Sequence, residues 1–139
     1  MKLSSKGRYA VMALADLAKF DPNEPVSLRD ISLRQGISLV YLEQLFLKLK
    51  KNKIVKSVRG KKGGYVLNKN ASEVKISDIF LAVEEKIETI GCKRHSKQGC
   101  NGRSSKCITH DFWDELENYI NDFFKKKNLG DLINQTKFN

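Results

Sequence analysis

The sequence predicts a mainly α-helical chain with a small β-hairpin wing, that is, a winged helix-turn-helix followed by a long C-terminal dimerisation helix. Three observations predict it. Two short amphipathic segments meet at a glycine between residues 28 and 51, the pattern of a helix-turn-helix. A basic, glycine-rich tip, Arg59-Gly60-Lys61-Lys62-Gly63, separates two strand-like runs, as in a tight hairpin. From Phe112 to Phe124 aromatic and aliphatic residues recur at helical spacing.

Taken in order, Ser4 or Ser5 caps a first helix running to about Phe20, with Val11, Leu14, Leu17 and Ala18 as its apolar stripe. Asp21-Pro22-Asn23 ends it as a turn. Ser27 caps a second helix and Asp30 follows three residues later, a variant of the capping box. Gly36 stops that helix after about two turns. Ser38 then caps LVYLEQLFLKLKK, with Leu42, Leu45, Phe46 and Leu49 facing inward. KIVKSV and GYVL read as the strands of a wing over 54–67, completing a DNA-binding unit over 1–70. SDIFLAVEE reads as a capped helix within a connecting segment, 71–91. A polar, glycine-containing loop covers 92–110.

Thr109 caps the long helix over 110–128, and 129–139 is left as a tail. Along that helix Phe112, Trp113, Leu116, Tyr119, Ile120, Phe123 and Phe124 share one face. Acids fill its first turns and Lys125, Lys126 and Lys127 its last, as the helix dipole favours. A stripe this wide, late in a small chain, is expected to pack partly against a second copy. A two-fold dimer also matches palindromic half-sites on duplex DNA.

The charge supports a nucleic-acid partner. The net charge is +10 over 139 residues. Residues 1–70 carry fifteen Lys/Arg against five Asp/Glu, whereas 71–139 carry eleven of each. From Lys48 to Lys62 there are eight basic residues and no acid. A one-sided positive field of this kind suits a polyanion. In a winged helix the third helix enters the major groove and the wing reaches the backbone or the minor groove. The candidate contacts are Ser38, Tyr41, Glu43, Gln44 and Lys48 on the helix, with Arg59, Gly60 and Lys61 on the wing. Gln can pair with adenine and Glu can accept from cytosine. Arg59 suits a narrow, A/T-rich minor groove.

All three cysteines and both histidines lie in CKRHSKQGCNGRSSKCITH, residues 92–110. The N-terminus has no signal-peptide pattern and no apolar run suits a membrane helix. The expected compartment is the cytoplasm, where thiols stay reduced. An odd cysteine count there argues for a metal or redox site rather than a disulfide framework. Cys107 and His110 stand three apart at a helix start, so both can face one metal, while Cys92 and Cys100 arrive by loop. The five Lys/Arg of the stretch are expected to lower thiolate pKa values and to offset the negative charge of a metal–thiolate site. Three Cys and one His also form a structural zinc set, although zinc sites usually show closely spaced cysteine pairs, which are missing here. A bare thiol switch is a third reading. His95 reads as solvent-exposed. No nucleophile–base pair, P-loop or deaminase set is present, so an enzyme is not expected. A protein-interaction module built on the aromatic helix is the alternative without DNA.

The strings MKLSSKGRYAVMALADLA, ISLRQGISLVYLEQLFLKLKKN and VRGKKGGYVL closely resemble the Rrf2 family of bacterial regulators, over Met1 to about Leu132. Within it, the chain is most similar to the members that regulate iron–sulfur cluster assembly. The resemblance implies a homodimeric repressor that binds operator DNA. It further implies a 2Fe–2S cluster on Cys92, Cys100, Cys107 and His110, supplied by the cluster-assembly machinery, and repression of the protein's own cluster-assembly operon when loaded. The same resemblance implies that Glu43 helps select between classes of DNA site. The cysteine gaps of seven and six residues are longer than is usual in that subgroup. A longer first gap also occurs in a nitric-oxide-sensing relative. Val40 stands where these relatives often carry a small polar residue.

Overall fold

The structure is a computed structural model that describes residues 4–86 and 106–135. Its first unit is built from three helices, α1 (Ser5–Ala18), α2 (Leu28–Gln35) and α3 (Leu39–Lys51). The expected polar caps form. Ser4 accepts from Lys6 N, Ser27 from Asp30 N and Ser38 from Tyr41 N, which satisfies donors that a helix start leaves orphaned. Gly36 ends α2 in the left-handed region at φ 66°, where a Cβ would be strained. The turn that follows lets α3 cross α2.

The core forms where helical faces meet. Leu42, Leu45, Phe46 and Leu49 of α3 are buried as their spacing predicts. They pack with Ile31 of α2 and with Ala10, Ala13, Leu14 and Leu17 of α1. On α1 the buried face is therefore rotated from the expected stripe, and Val11 and Ala18 lie at its margin. Small Ala10 and Ala13 let neighbouring helices approach closely. The helix also stops at Ala18, two residues short of Phe20.

The wing consists of β1 (Val55–Val58) and β2 (Gly64–Leu67), antiparallel, with Val55 opposite Leu67 and Val58 opposite Gly64. Lys53 and Ile54, expected in the first strand, instead close the C-terminus of α3. Lys53 adopts φ 61° and Ile54 N donates to Leu49 O at 3.0 Å. A further rung was not legible in sequence: Val26 and Tyr65 exchange backbone hydrogen bonds at 3.0 and 2.8 Å. That rung ties the wing to the loop before α2.

After a 3-10 turn (Ala71–Glu73) come α4 (Ile76–Ala82), α5 (His110–Lys126) and α6 (Leu129–Gln135). Two expected caps are corrected here. Ser77 lies inside α4 rather than capping it; the backbone N–H of Ile76 is satisfied by Lys127 O at 2.9 Å, and Leu129 N returns a bond to Val74 O at 3.0 Å. This distant pairing replaces a local cap. Thr109 occupies the N-cap of α5 without capping it, because its hydroxyl accepts from Trp113 Nε1 at 3.0 Å. α4 ends at Ala82 and does not run to Glu85. The stretch after α5, read as a tail, is helical to Gln135. Asn128 and Asp131 exchange side-chain-to-backbone bonds of 3.0 Å at its start, and Leu129 is fully buried. Residues 87–91 of the connecting segment and 136–139 lie outside the described residues.

Candidate nucleic-acid interface and metal centre

Burying the leucine face of α3 leaves its opposite face to solvent. Ser38, Glu43 and Gln44 are exposed, and so are Val40 and Leu47, each at 64%. Such exposed aliphatics beside polar groups suit contact with base edges and thymine methyls. Tyr41 is different. Its ring packs edge-on against Tyr9 at 5.8 Å and its hydroxyl lies 2.9 Å from Ser5 Oγ. It is half-buried on the flank of α3 that faces α1. Lys48, two turns further along that flank, is paired with Glu84 at 3.3 Å.

The wing tip presents Arg59, Gly60, Lys61 and Lys62, all exposed. Gly60 takes φ 124° and its carbonyl accepts from Gly63 N at 3.0 Å, so the chain reverses within the tip. Lys50, Lys51, Lys53 and Lys56 are exposed between the helix and the wing. They extend the basic surface but were not singled out from the sequence. The run without acids from Gln44 to Ser72 was the signal for them.

The described half of the predicted metal set lies at the start of α5. His110 N donates to Cys107 O at 3.1 Å, which closes one turn and brings both residues to the helix N-terminus. Cys107 is half-buried, and His110 is 6% exposed. Its Nε2 is 3.1 Å from Asp114 Oδ2. His110, Asp111 and Asp114 hold donor atoms within 4.8 Å of one another. Sequence reasoning missed Asp114, although its spacing of four from His110 places it on the same helical face. Cys92, Cys100 and His95 lie outside the described residues. A thiol and an imidazole at a helix N-terminus, where negative charge is favoured, are a donor pair that fits an iron–sulfur cluster or zinc.

The chain matches a family model described as "Rrf2: Iron-dependent Transcriptional regulator" over residues 3–135. The chain belongs to the Rrf2 family. Within Rrf2 it is 48% identical over 134 residues to the HTH-type transcriptional regulator IscR of Escherichia coli, covering 96% of this chain and 81% of that protein. Against the IscR of Photorhabdus laumondii the identity is 47%, covering 96% and 80%. Among solved structures it is similar to T. potens IscR, with a TM-score of 0.79 at 33% identity over 99% of this chain and 89% of the other. It is also similar to CymR, the global cysteine regulator of B. subtilis, with a TM-score of 0.77 at 28% identity over 99% of each. Membership of Rrf2 makes the chain a winged-helix, DNA-binding transcriptional regulator and not an enzyme. Among the described residues, no helix is long and apolar enough to cross a membrane.

Proposed function

We propose that this Rrf2 protein is a homodimeric repressor that senses iron–sulfur cluster supply through a 2Fe–2S cluster on Cys92, Cys100, Cys107 and His110. The observation that carries it is the meeting of Cys107 and a buried, carboxylate-oriented His110 at the head of α5. The IscR-named relatives at 47–48% identity support it. When bound, the cluster would supply a redox- and supply-sensitive group of variable occupancy.

The residues divide the work. The N-terminal end of α5 favours the Cys107 thiolate. Asp114 Oδ2 stands 3.1 Å from Nε2 of His110, where it would hold the ring and leave the other ring nitrogen to a metal. On the reading unit, Glu43 and Gln44 contact base edges and Ser38, Tyr41 and Lys48 position the helix. Arg59, Gly60 and Lys61 approach the minor groove or backbone from the wing.

The dimer forms through the outer face of α5. Phe112, Leu116, Tyr119 and Phe123 are exposed there, whereas Phe124 turns inward onto Phe80, ring centres 4.9 Å apart. Cys107 and His110 sit at the head of α5, so ligation there would bias the set of that helix and, through the dimer, the spacing of the two recognition helices. Cluster-assembly proteins donate the cluster, and the loaded dimer represses its own cluster-assembly genes.

A structural zinc is the second reading, favoured by the nitrogen and oxygen donors of His110, Asp111 and Asp114. Purification without oxygen, visible absorption and assays of iron, sulfide and zinc decide between them. Iron and sulfide in equal amounts, with colour lost in Cys107→Ala, are expected. A colourless protein with one zinc per chain would overturn the sensor and leave DNA binding intact.

A further inference from the structure

Between Glu43 and Glu73 the sequence holds no acid, so α3 after Glu43 and the wing carry no counter-charge of their own. The tertiary structure supplies one from elsewhere. Glu84 Oε2 lies 3.3 Å from Lys48 Nζ. We propose that Glu84 is an internal counter-ion that occupies Lys48 in the free protein and must yield it to a DNA phosphate, so that residue 84 sets the affinity of α3 for duplex DNA. The proposal rests on the reading of the α3 face above.

The backbone around Glu84 shows how the carboxylate is presented. Glu85 N donates to Phe80 O at 2.9 Å and Glu84 N to Leu81 O at 3.2 Å, the paired bonds that close a helix in a Schellman motif. Glu84 occupies the left-handed position of that motif at φ 60°, where glycine or asparagine is favoured and any other residue is strained. The corner is also tied to the start of α1, because Ser4 Oγ donates to the Glu85 carboxylate at 2.6 Å. A glutamate is thus held in a conformation it disfavours, with its charge on a candidate phosphate-binding lysine.

The pair is open to solvent, with side chains 40% and 75% exposed. Pairs of that kind are weak and screened by salt. A phosphate, one of many along a polyanion, can therefore win Lys48, and the glutamate only raises the cost of the exchange. Glu84 would act through Lys48 and not as a DNA contact.

A double-mutant cycle tests this. Affinity of the full chain is measured by fluorescence anisotropy over a salt series, on a short duplex that the wild-type protein selects from a random pool. Glu84→Gln is expected to tighten binding about two- to five-fold, the range of an exposed ion pair. Lys48→Gln is expected to weaken it and lower the salt slope by about one. In the Lys48→Gln background, Glu84→Gln should bring no gain. Glu84→Gly removes the same carboxylate in a residue the position favours, and serves if the Gln variant melts early. A gain that persists without Lys48 would overturn the proposal, since it reports only the loss of a negative charge near DNA. No gain from Glu84→Gln, with Lys48→Gln still weakening, would overturn it and leave the α3 reading standing. If Lys48→Gln changes neither affinity nor slope, both the proposal and the placement of Lys48 on DNA fall.

Discussion

Arg34 grips Asp16 from two nitrogens, Nη2 at 2.7 Å from Oδ1 and Nε at 3.0 Å from Oδ2. Gln35 Nε2 adds a third donor at 2.8 Å, and the Arg34 guanidinium also lies over the Phe20 ring at 4.7 Å. The pair bolts α2, which buries only Ile31, onto α1. Asp16 is 4% exposed. Burial pushes its carboxyl up, but the Arg34 and Gln35 hydrogen bonds and the charge of Arg34 outweigh this and hold it below the usual carboxylate value. A depressed carboxyl contributes stability above its unfolded pKa and loses it as pH falls through the folded one. Asp16→Asn should therefore cost about 1–3 kcal/mol at pH 7, discounted from a fully buried pair because Arg34 is 40% exposed. Denaturant melts of both proteins should converge as the pH drops below about 3.9. A gap that stays constant in acid would contradict the ionised pair.

Gly64 meets the loop before α2 so closely that a Cβ would strike the Val26 carbonyl and Ser27 N. Those are backbone atoms held by the Val26–Tyr65 rung, so they have little freedom to retreat. Gly64→Ala should destabilise the fold by about 1–3 kcal/mol, the cost of overpacking. A thermal melt of the variant checks it, and an unchanged midpoint would mean that the rung yields.

Arg59 and Lys61 are exposed at the wing tip and have no ion-pair partner among the described residues. Replacing each by Ala should lower the salt slope of DNA binding by about one. Arg59→Ala should cost more on A/T-rich flanks than on G/C-rich ones, because narrow grooves concentrate negative potential. Binding titrations on two duplexes that differ only in their flanks would read both effects. Equal losses on the two would remove Arg59 from the minor groove.

Tyr119 is 74% exposed on α5, so a charge there should leave the protomer folded. Tyr119→Glu is expected to weaken the proposed dimer about 30-fold or more, as for an interface anchor. Sedimentation equilibrium measures it, with circular dichroism to verify the helices. A dimer of unchanged strength would move the subunit interface away from this face.

Much of the molecule is written in local chemistry. The helix-turn-helix was legible because Ser27, Ser38 and Gly36 act on neighbours within three or four residues, and because α3 keeps its leucines on one face. The wing was legible for a similar reason, since its glycines and basic residues separate two short strand-like runs, KIVKSV and GYVL. Of the proposed metal set, only Cys107 and His110 fall within the described residues, and both lie at the head of α5 as their spacing of three predicts.

By itself, then, the sequence determined the helix-turn-helix and wing and the basic surface beside them, because each depends on residue type and short-range spacing. Only the tertiary structure decided which face of α1 is buried, where α4 ends, and that residues 129–135 fold as a helix. It alone joined Val26 to Tyr65, Ile76 to Lys127 and Lys48 to Glu84. The physical reason is separation along the chain. These partners lie 36 to 51 residues apart, so no local periodicity carries their pairing, and backbone donors that a local cap would have served are satisfied by strands and loops brought in by the core.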